Sequence, residues 1–337
     1  MNTTEAQTLT LTPLNSNLLL SPVAIDVLLT LFLLVFSEFI GLFGILANVV
    51  NICVFYKQGY EDCVNITLTA LAVSDLGVLV TGQVFNLLAN SWFLKADMPI
   101  VQIEVVYMII FYPRNYFTRV CGFITAFASF ERCLCVMVPL HVKRIVTKKV
   151  AVTVILIFYL VTLLDLVPLY YVAYLDWSFR PEFNTSKFGL VYRENPYNVF
   201  SVSYFVSDLF APYFTFSIVI SCTCIIAVKL KTRALWRSSM STSERFSNKE
   251  TKVVAMLMVV SVIFIVCLIP QSAILTTVSF FPELSIKGVY VYFTLLCLSL
   301  ANVMETVNSS VSIIVYYKMS SNYREKLNCL FRFIDKV

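Results

Sequence analysis

The chain has 337 residues, of which 59% are apolar and 13% charged, with a net charge of +5. Soluble domains carry about 25% charged residues, so no single water-surrounded core could hold this much apolar surface, and a mean hydropathy of +0.82 points to lipid as the solvent. The modest positive charge sits between apolar runs, which excludes a nucleic-acid footprint and makes membrane lipids a partner.

A spanning helix needs roughly 20 predominantly apolar residues. Seven runs qualify, at about 26–56, 64–90, 101–136, 150–175, 199–230, 249–280 and 286–317. None alternates with the period of two expected of barrel strands. The expected fold is an all-α membrane protein: a seven-transmembrane helix bundle over 26–317, after an outer amino-terminal segment over 1–25. Residues 318–337 form an inner tail whose alternating basic and apolar residues, about 319–333, predict a short amphipathic eighth helix lying on the inner leaflet.

Lysine and arginine set the orientation. Residues 1–37 carry none, whereas Lys143, Arg144, Lys148 and Lys149, the cluster from Lys229 to Lys252, and the tail from Lys318 to Lys336 fall on one side. The amino terminus is therefore expected outside, in a multi-pass protein of the plasma membrane. The first 20 residues lack a basic start followed by an apolar run, so the first span reads as an uncleaved signal-anchor. Asn2 and Asn184 head glycosylation sequons on outer segments, while the sequons at Asn65 and Asn308 fall within or beneath the membrane. All ten cysteines lie in spans or on the inner side, so no disulfide is expected. With His141 the sole histidine, no metal centre or cofactor is expected either. Cys329, in the predicted eighth helix, is a palmitoylation candidate.

Charge inside a span costs roughly 2.5–3.5 kcal/mol per residue on insertion scales, so the polar residues are informative. In chain order the most specific are Asn48 in GILANVVNI, Asp75 in LAVSDL, the Glu131-Arg132 pair ending the third span in FERCLCVMVPLHV, and Asn308-Ser309 in NSSVSIIVYYKMSSNYR. Pro212 stands in DLFAPYF, and Phe264, Cys267 and Pro270 in FIVCLIP. By their order and spacing the chain resembles the rhodopsin-like (class A) family of G-protein-coupled receptors over roughly residues 30–330, and within it the invertebrate chemosensory or orphan receptors. The resemblance implies an extracellular ligand, a heterotrimeric G-protein partner and no enzymatic activity. It implies that Glu131 locks Arg132 at rest, that Tyr316 takes part in the switch, and that Pro212 and Pro270 bend their helices. It also implies a buried polar cluster of Asn48, Asp75, Cys121, Asn308, Ser309 and Ser312, able to hold water or a sodium ion.

The chain departs from the family pattern in several places. Tyr107 stands where the third helix usually carries a bridged cysteine, and the outer loop at 176–198 has no cysteine to pair with. Packing and Trp92 are expected to hold that loop instead. Leu268 replaces a tryptophan below the ligand pocket, Ile220 a tyrosine, and Ser312-Ile313 the usual Asn-Pro.

Arg114 and Arg119 lie in the outer half of the third span. Arg114 suits an acidic ligand group or a peptide terminus, in a ligand site with Asn115, Thr118, Asp208, Asn302 and Glu305. The alternative is internal pairing, of Arg114 with Glu305 and of Arg119 with Asp165 or Asp208. A transporter or ligand-gated channel remains the rival function, although seven unlike spans show none of the internal repeats transporters favour. The ligand, peptide or small molecule, is not legible.

Overall fold

The computed structural model describes residues 21–94, 96–138, 141–193, 196–239, 248–285 and 288–334. Seven long apolar helices run through them: α1 (Val23–Gln58), α2 (Cys63–Leu88), α3 (Gln102–Met137), α4 (Lys148–Val172), α5 (Tyr197–Thr232), α6 (Val254–Phe280) and α7 (Val291–Met319). The expected spans agree with these to within a few residues at most ends. An eighth helix, α8 (Ser321–Ile334), follows directly. Asn2 and Pro139 lie outside the described residues, as does most of the serine-rich stretch after α5.

Helix ends follow local chemistry. The Asp62 carboxylate caps α2 by accepting from Val64 N, and Thr147 caps α4 by accepting from Val150 N. Gly59, at φ 81°, ends α1 in a conformation that costs other residues a steric clash. Large apolar side chains such as Phe39, Leu46, Leu156 and Val266 face outward, as a lipid solvent requires. The interior is packed in tiers. Val54, Phe55, Val315, Tyr316, Tyr323 and Leu327 bind α1, α7 and α8 together at the basic end. Phe216, Val219, Phe264 and Leu268 join α5 and α6 to α3 midway.

Two features were not legible in the sequence. The first is a β-hairpin between α4 and α5, with β1 (Ala173–Arg180) paired antiparallel to β2 (Thr185–Tyr192). Glu104, in the first turn of α3, accepts from Arg180 Nη2 and from Leu190 N, both at 2.7 Å. Phe188 bonds the extended segment at 99–101 through both its N–H and its carbonyl, an isolated bridge at Ile100. The hairpin is thus clipped to α3 by a carboxylate where the family bridge would be. Trp92 does not hold the loop as expected, because it is 90% exposed.

The second feature is the interruption of α7 at Val311. The sequence lacks proline there, yet Asn48 Nδ2 takes the Ser309 carbonyl at 2.8 Å, and the Ser310 hydroxyl bonds back to Thr306 O. Side chains that compete for helical carbonyls bend a helix as a proline does. Among the described residues no cysteine is joined in a disulfide.

Candidate functional site

Between α3, α5 and α6, in the half nearer the hairpin, lies a partly open cavity with about 60 Å³ of space, so a ligand seated in it extends through the opening. Phe216, Phe264 and Leu268 form an apolar side, and Asn115, Thr118, Arg119, Asp208 and Gln271 supply polar groups. Leu268, where the family carries tryptophan, helps to leave this space open.

Three helices meet on Arg119. Its Nη1 donates to Asp165 of α4 at 3.0 Å, and its Nη2 to Asp208 of α5 at 3.3 Å. The Ser207 hydroxyl also donates to Asp165. Neighbouring helical residues point about 100° apart, so Ser207 and Asp208 would ordinarily diverge. Both nonetheless reach the same cluster from a π-helical turn over Phe205–Phe210, a device that recurs at functional sites. One guanidinium therefore faces two carboxylates, and both expected pairings of Arg119 are present.

Arg114 is paired internally. It is 6% exposed and donates to Glu305 of α7, whose second oxygen accepts from Thr118 Oγ1 at 2.6 Å. The Phe85 ring lies 5.8 Å from the guanidinium. Arg114 and Glu305 are thus not a free ligand pair in this structure, because each neutralises the other in a buried setting. Asn302 is likewise occupied, donating to Ser37 Oγ at 3.0 Å and to Asn86 Oδ1 at 3.1 Å. Of the six residues expected at the ligand site, Asn115, Thr118 and Asp208 line the cavity, and Arg114, Asn302 and Glu305 do not.

At the opposite end of α3, Arg132 Nη2 donates to Glu131 Oε1 at 2.7 Å, with both residues over 90% buried. Thr67 Oγ1 of α2 supports the other Glu131 oxygen at 3.4 Å. Cys133 and Val136 pack beside the pair against Cys222 and Ile226 of α5 and Val254 of α6. Close by, exposed Glu61 accepts from Lys148 Nζ at 2.5 Å, and that hydrogen bond and charge hold its carboxyl below the usual range.

The polar cluster expected around Asp75 has two parts joined by Asn48, which donates to the Ser309 carbonyl at 2.8 Å and accepts from Asn51 Nδ2 at 3.4 Å. Asp75 is buried and accepts from Cys121 Sγ at 3.4 Å, with Ser309 beside it. Ser312 instead accepts from Asn51 Nδ2 at 3.2 Å, and the side chain of the half-buried Asn308 forms no hydrogen bond among the described residues. Hard cations are held by several oxygens. The groups that meet here are the Asp75 carboxylate, the Ser309 hydroxyl and the Cys121 thiol.

The model of the seven-transmembrane receptor family of the rhodopsin type matches residues 47–309, well over half of the chain. The chain belongs to the rhodopsin family of seven-transmembrane receptors. No curated protein matches it as a relative. It is therefore a multi-pass membrane receptor of a G-protein-coupled family whose members are typically found at the plasma membrane. Such a receptor works through a G-protein and an extracellular ligand.

Several residues of this receptor carry more than the sequence disclosed. Asn51 donates to Ser312 and, through Oδ1, accepts from the Tyr323 hydroxyl at 2.5 Å, which ties α1, α7 and α8 into one chain of bonds. The signal was present as Asn48-x-x-Asn51, two amides on one face of a helix. Tyr316 is buried, its ring 5.4 Å from Phe55 and 5.7 Å from Tyr323. Pro212 lines the cavity and Pro270 lies inside α6. Cys329 is exposed on α8, and Asn184 is exposed at φ 49° in the hairpin turn.

Proposed function

We propose that this receptor takes an extracellular ligand, a chemosensory small molecule or the end of a peptide, in the α3–α5–α6 cavity. It then activates a heterotrimeric G-protein at the opposite, basic end. The observation that carries the reading is the buried Glu131-Arg132 pair. It lies 13 residues beyond Arg119 on one continuous helix, about 20 Å at 1.5 Å per residue. Cavity and pair share the same three packed helices, so a shift of α5 and α6 around a ligand bears directly on the contacts of Arg132. An ion pair that can exchange one set of partners for another suits a two-state switch. The amino terminus and hairpin face outward, and the arginine- and lysine-rich ends face the cytoplasm. Asn2 and Asn184 carry glycans, and α8 rests on the inner leaflet with Cys329 acylated. The Asp75 cluster serves as a structural polar core.

The test is nucleotide exchange on a purified G-protein by the receptor in lipid discs. Glu131→Gln, which removes the charge that holds Arg132, raises exchange without added ligand. Arg132→Ala abolishes exchange while the receptor stays folded. Equal exchange by all three proteins overturns the reading, and ion currents that persist in cells without functional G-proteins favour a channel.

A further inference from the structure

We infer that the cavity selects a protonated amine whose neighbouring group is a neutral hydrogen-bond acceptor, with Asp208 as the anchor of the ammonium. The inference rests on the cavity being the ligand site of the receptor, and it names the ligand class.

Charge balance is the first argument. Among the described residues Arg119 is the one cation lining the cavity, and it faces Asp165 and Asp208 together. Two carboxylates against one guanidinium leave a negative excess in surroundings of low polarity, where an unbalanced charge is costly. The two acids are not equivalent. Asp165 receives the shorter Arg119 bond and the Ser207 hydroxyl, whereas among the described residues Asp208 holds only the 3.3 Å contact and lines the cavity. Asp208 is the carboxylate with capacity left for a ligand.

The remaining polar groups give the second argument. Arg119 is 8% exposed at its side chain, and its Nε–H has no partner among the described residues. On α6, Gln271 Oε1 is buried, likewise without a partner among them, and Gln271 lines the same cavity. An ammonium carries three donors, enough for Asp208 and Gln271 together. Arg119 Nε–H then calls for an acceptor on the same ligand. A carboxylate there would restore the excess that the ammonium removes, so the acceptor is uncharged, as in an amide, an ester or the first carbonyl of a peptide. Phe216, Phe264 and Leu268 suit an apolar body. Arg114 does not reverse the sign, since Glu305 already neutralises it.

The full-length receptor in lipid discs is tested with three compounds of one shape: phenylalaninamide, its zwitterion phenylalanine, and the uncharged hydrocinnamamide. Phenylalaninamide is expected to raise the unfolding temperature in a saturable way, and the other two are not. Asp208→Asn weakens phenylalaninamide by about 30-fold or more, the scale of truncating one partner of a buried charge pair. Should that variant fail to fold, Gln271→Glu and Gln271→Lys shift the affinity in opposite directions, up for the glutamate and down for the lysine. Equal stabilisation by hydrocinnamamide would show that a proton, not a ligand cation, balances the acids, and overturns the inference. Stabilisation by phenylalanine as strong as by its amide overturns it, as does no stabilisation by any of the three or indifference to the charge at 208 and 271. Ligand-free exchange by Glu131→Gln reports the receptor reading separately, so the two fail independently.

Discussion

The Arg114–Glu305 pair provides the most direct test of how this bundle holds its helices. Glu305→Ala leaves the Arg114 guanidinium buried between α2, α3 and α7, with the Phe85 ring as its remaining favourable contact. Opposite unit charges about 4 Å apart attract by about 4 kcal/mol at an effective dielectric of about 20. Removing one member of a buried pair costs about 3–5 kcal/mol, because the survivor keeps its desolvation penalty. The ring contact is present before and after the change, so it offsets none of this cost. Each single variant, Arg114→Leu and Glu305→Ala, should therefore destabilise the bundle by about 3–5 kcal/mol. The double variant should cost far less than their sum, since it strands no charge. Equilibrium unfolding of the four proteins in mixed micelles gives the coupling energy, expected to exceed about 2 kcal/mol. Single effects that add to within about 0.5 kcal/mol would refute the reasoning, and would return Arg114 to the set of groups free to meet a ligand.

Other consequences follow from the clips and caps. Glu104→Gln removes the charge that holds Arg180 and Leu190 N, so hydrogen exchange over 173–192 should speed up by about 10-fold or more; treatment with reductant should leave the same segment unchanged, because no disulfide among the described residues holds it. Burial raises the Tyr323 phenol above its ordinary value of 10.0. The folded state therefore keeps the proton that the unfolded chain releases, and stability is full below about pH 10 and declines above it. Tyr323→Phe should be less sensitive to alkaline pH, measured by unfolding midpoints across that range. Asn51→Leu breaks the bonds to Ser312 and Tyr323 and strands both, which should cost about 1–3 kcal/mol in unfolding assays and loosen α8 to proteolysis. Asn184→Gln should reduce the mobility shift that glycosidase treatment produces, leaving the share of Asn2.

The sequence by itself determined the seven spans. Lipid leaves the backbone no partner but itself, so 20-odd apolar residues have one affordable conformation. It also marked Glu131-Arg132, Asn48 and Asp75, because a polar residue in a span stands out against its neighbours. The hairpin was not legible: AYLDWSFR and TSKFGLVY carry no sharp alternation, and their pairing is fixed by Glu104, some 70 residues earlier in the chain. The break in α7 was equally hidden, since it depends on the Asn48 amide reaching Ser309 O across 261 positions. Most of all, tertiary structure decided which charges were free. Composition offers Arg114, Arg119, Asp165, Asp208 and Glu305 as equals. Helix packing neutralises Arg114 with Glu305, and a π-helical turn in α5 sets a second acid beside Arg119. The balance of charge in the cavity depends on those distances, and a sequence does not contain them.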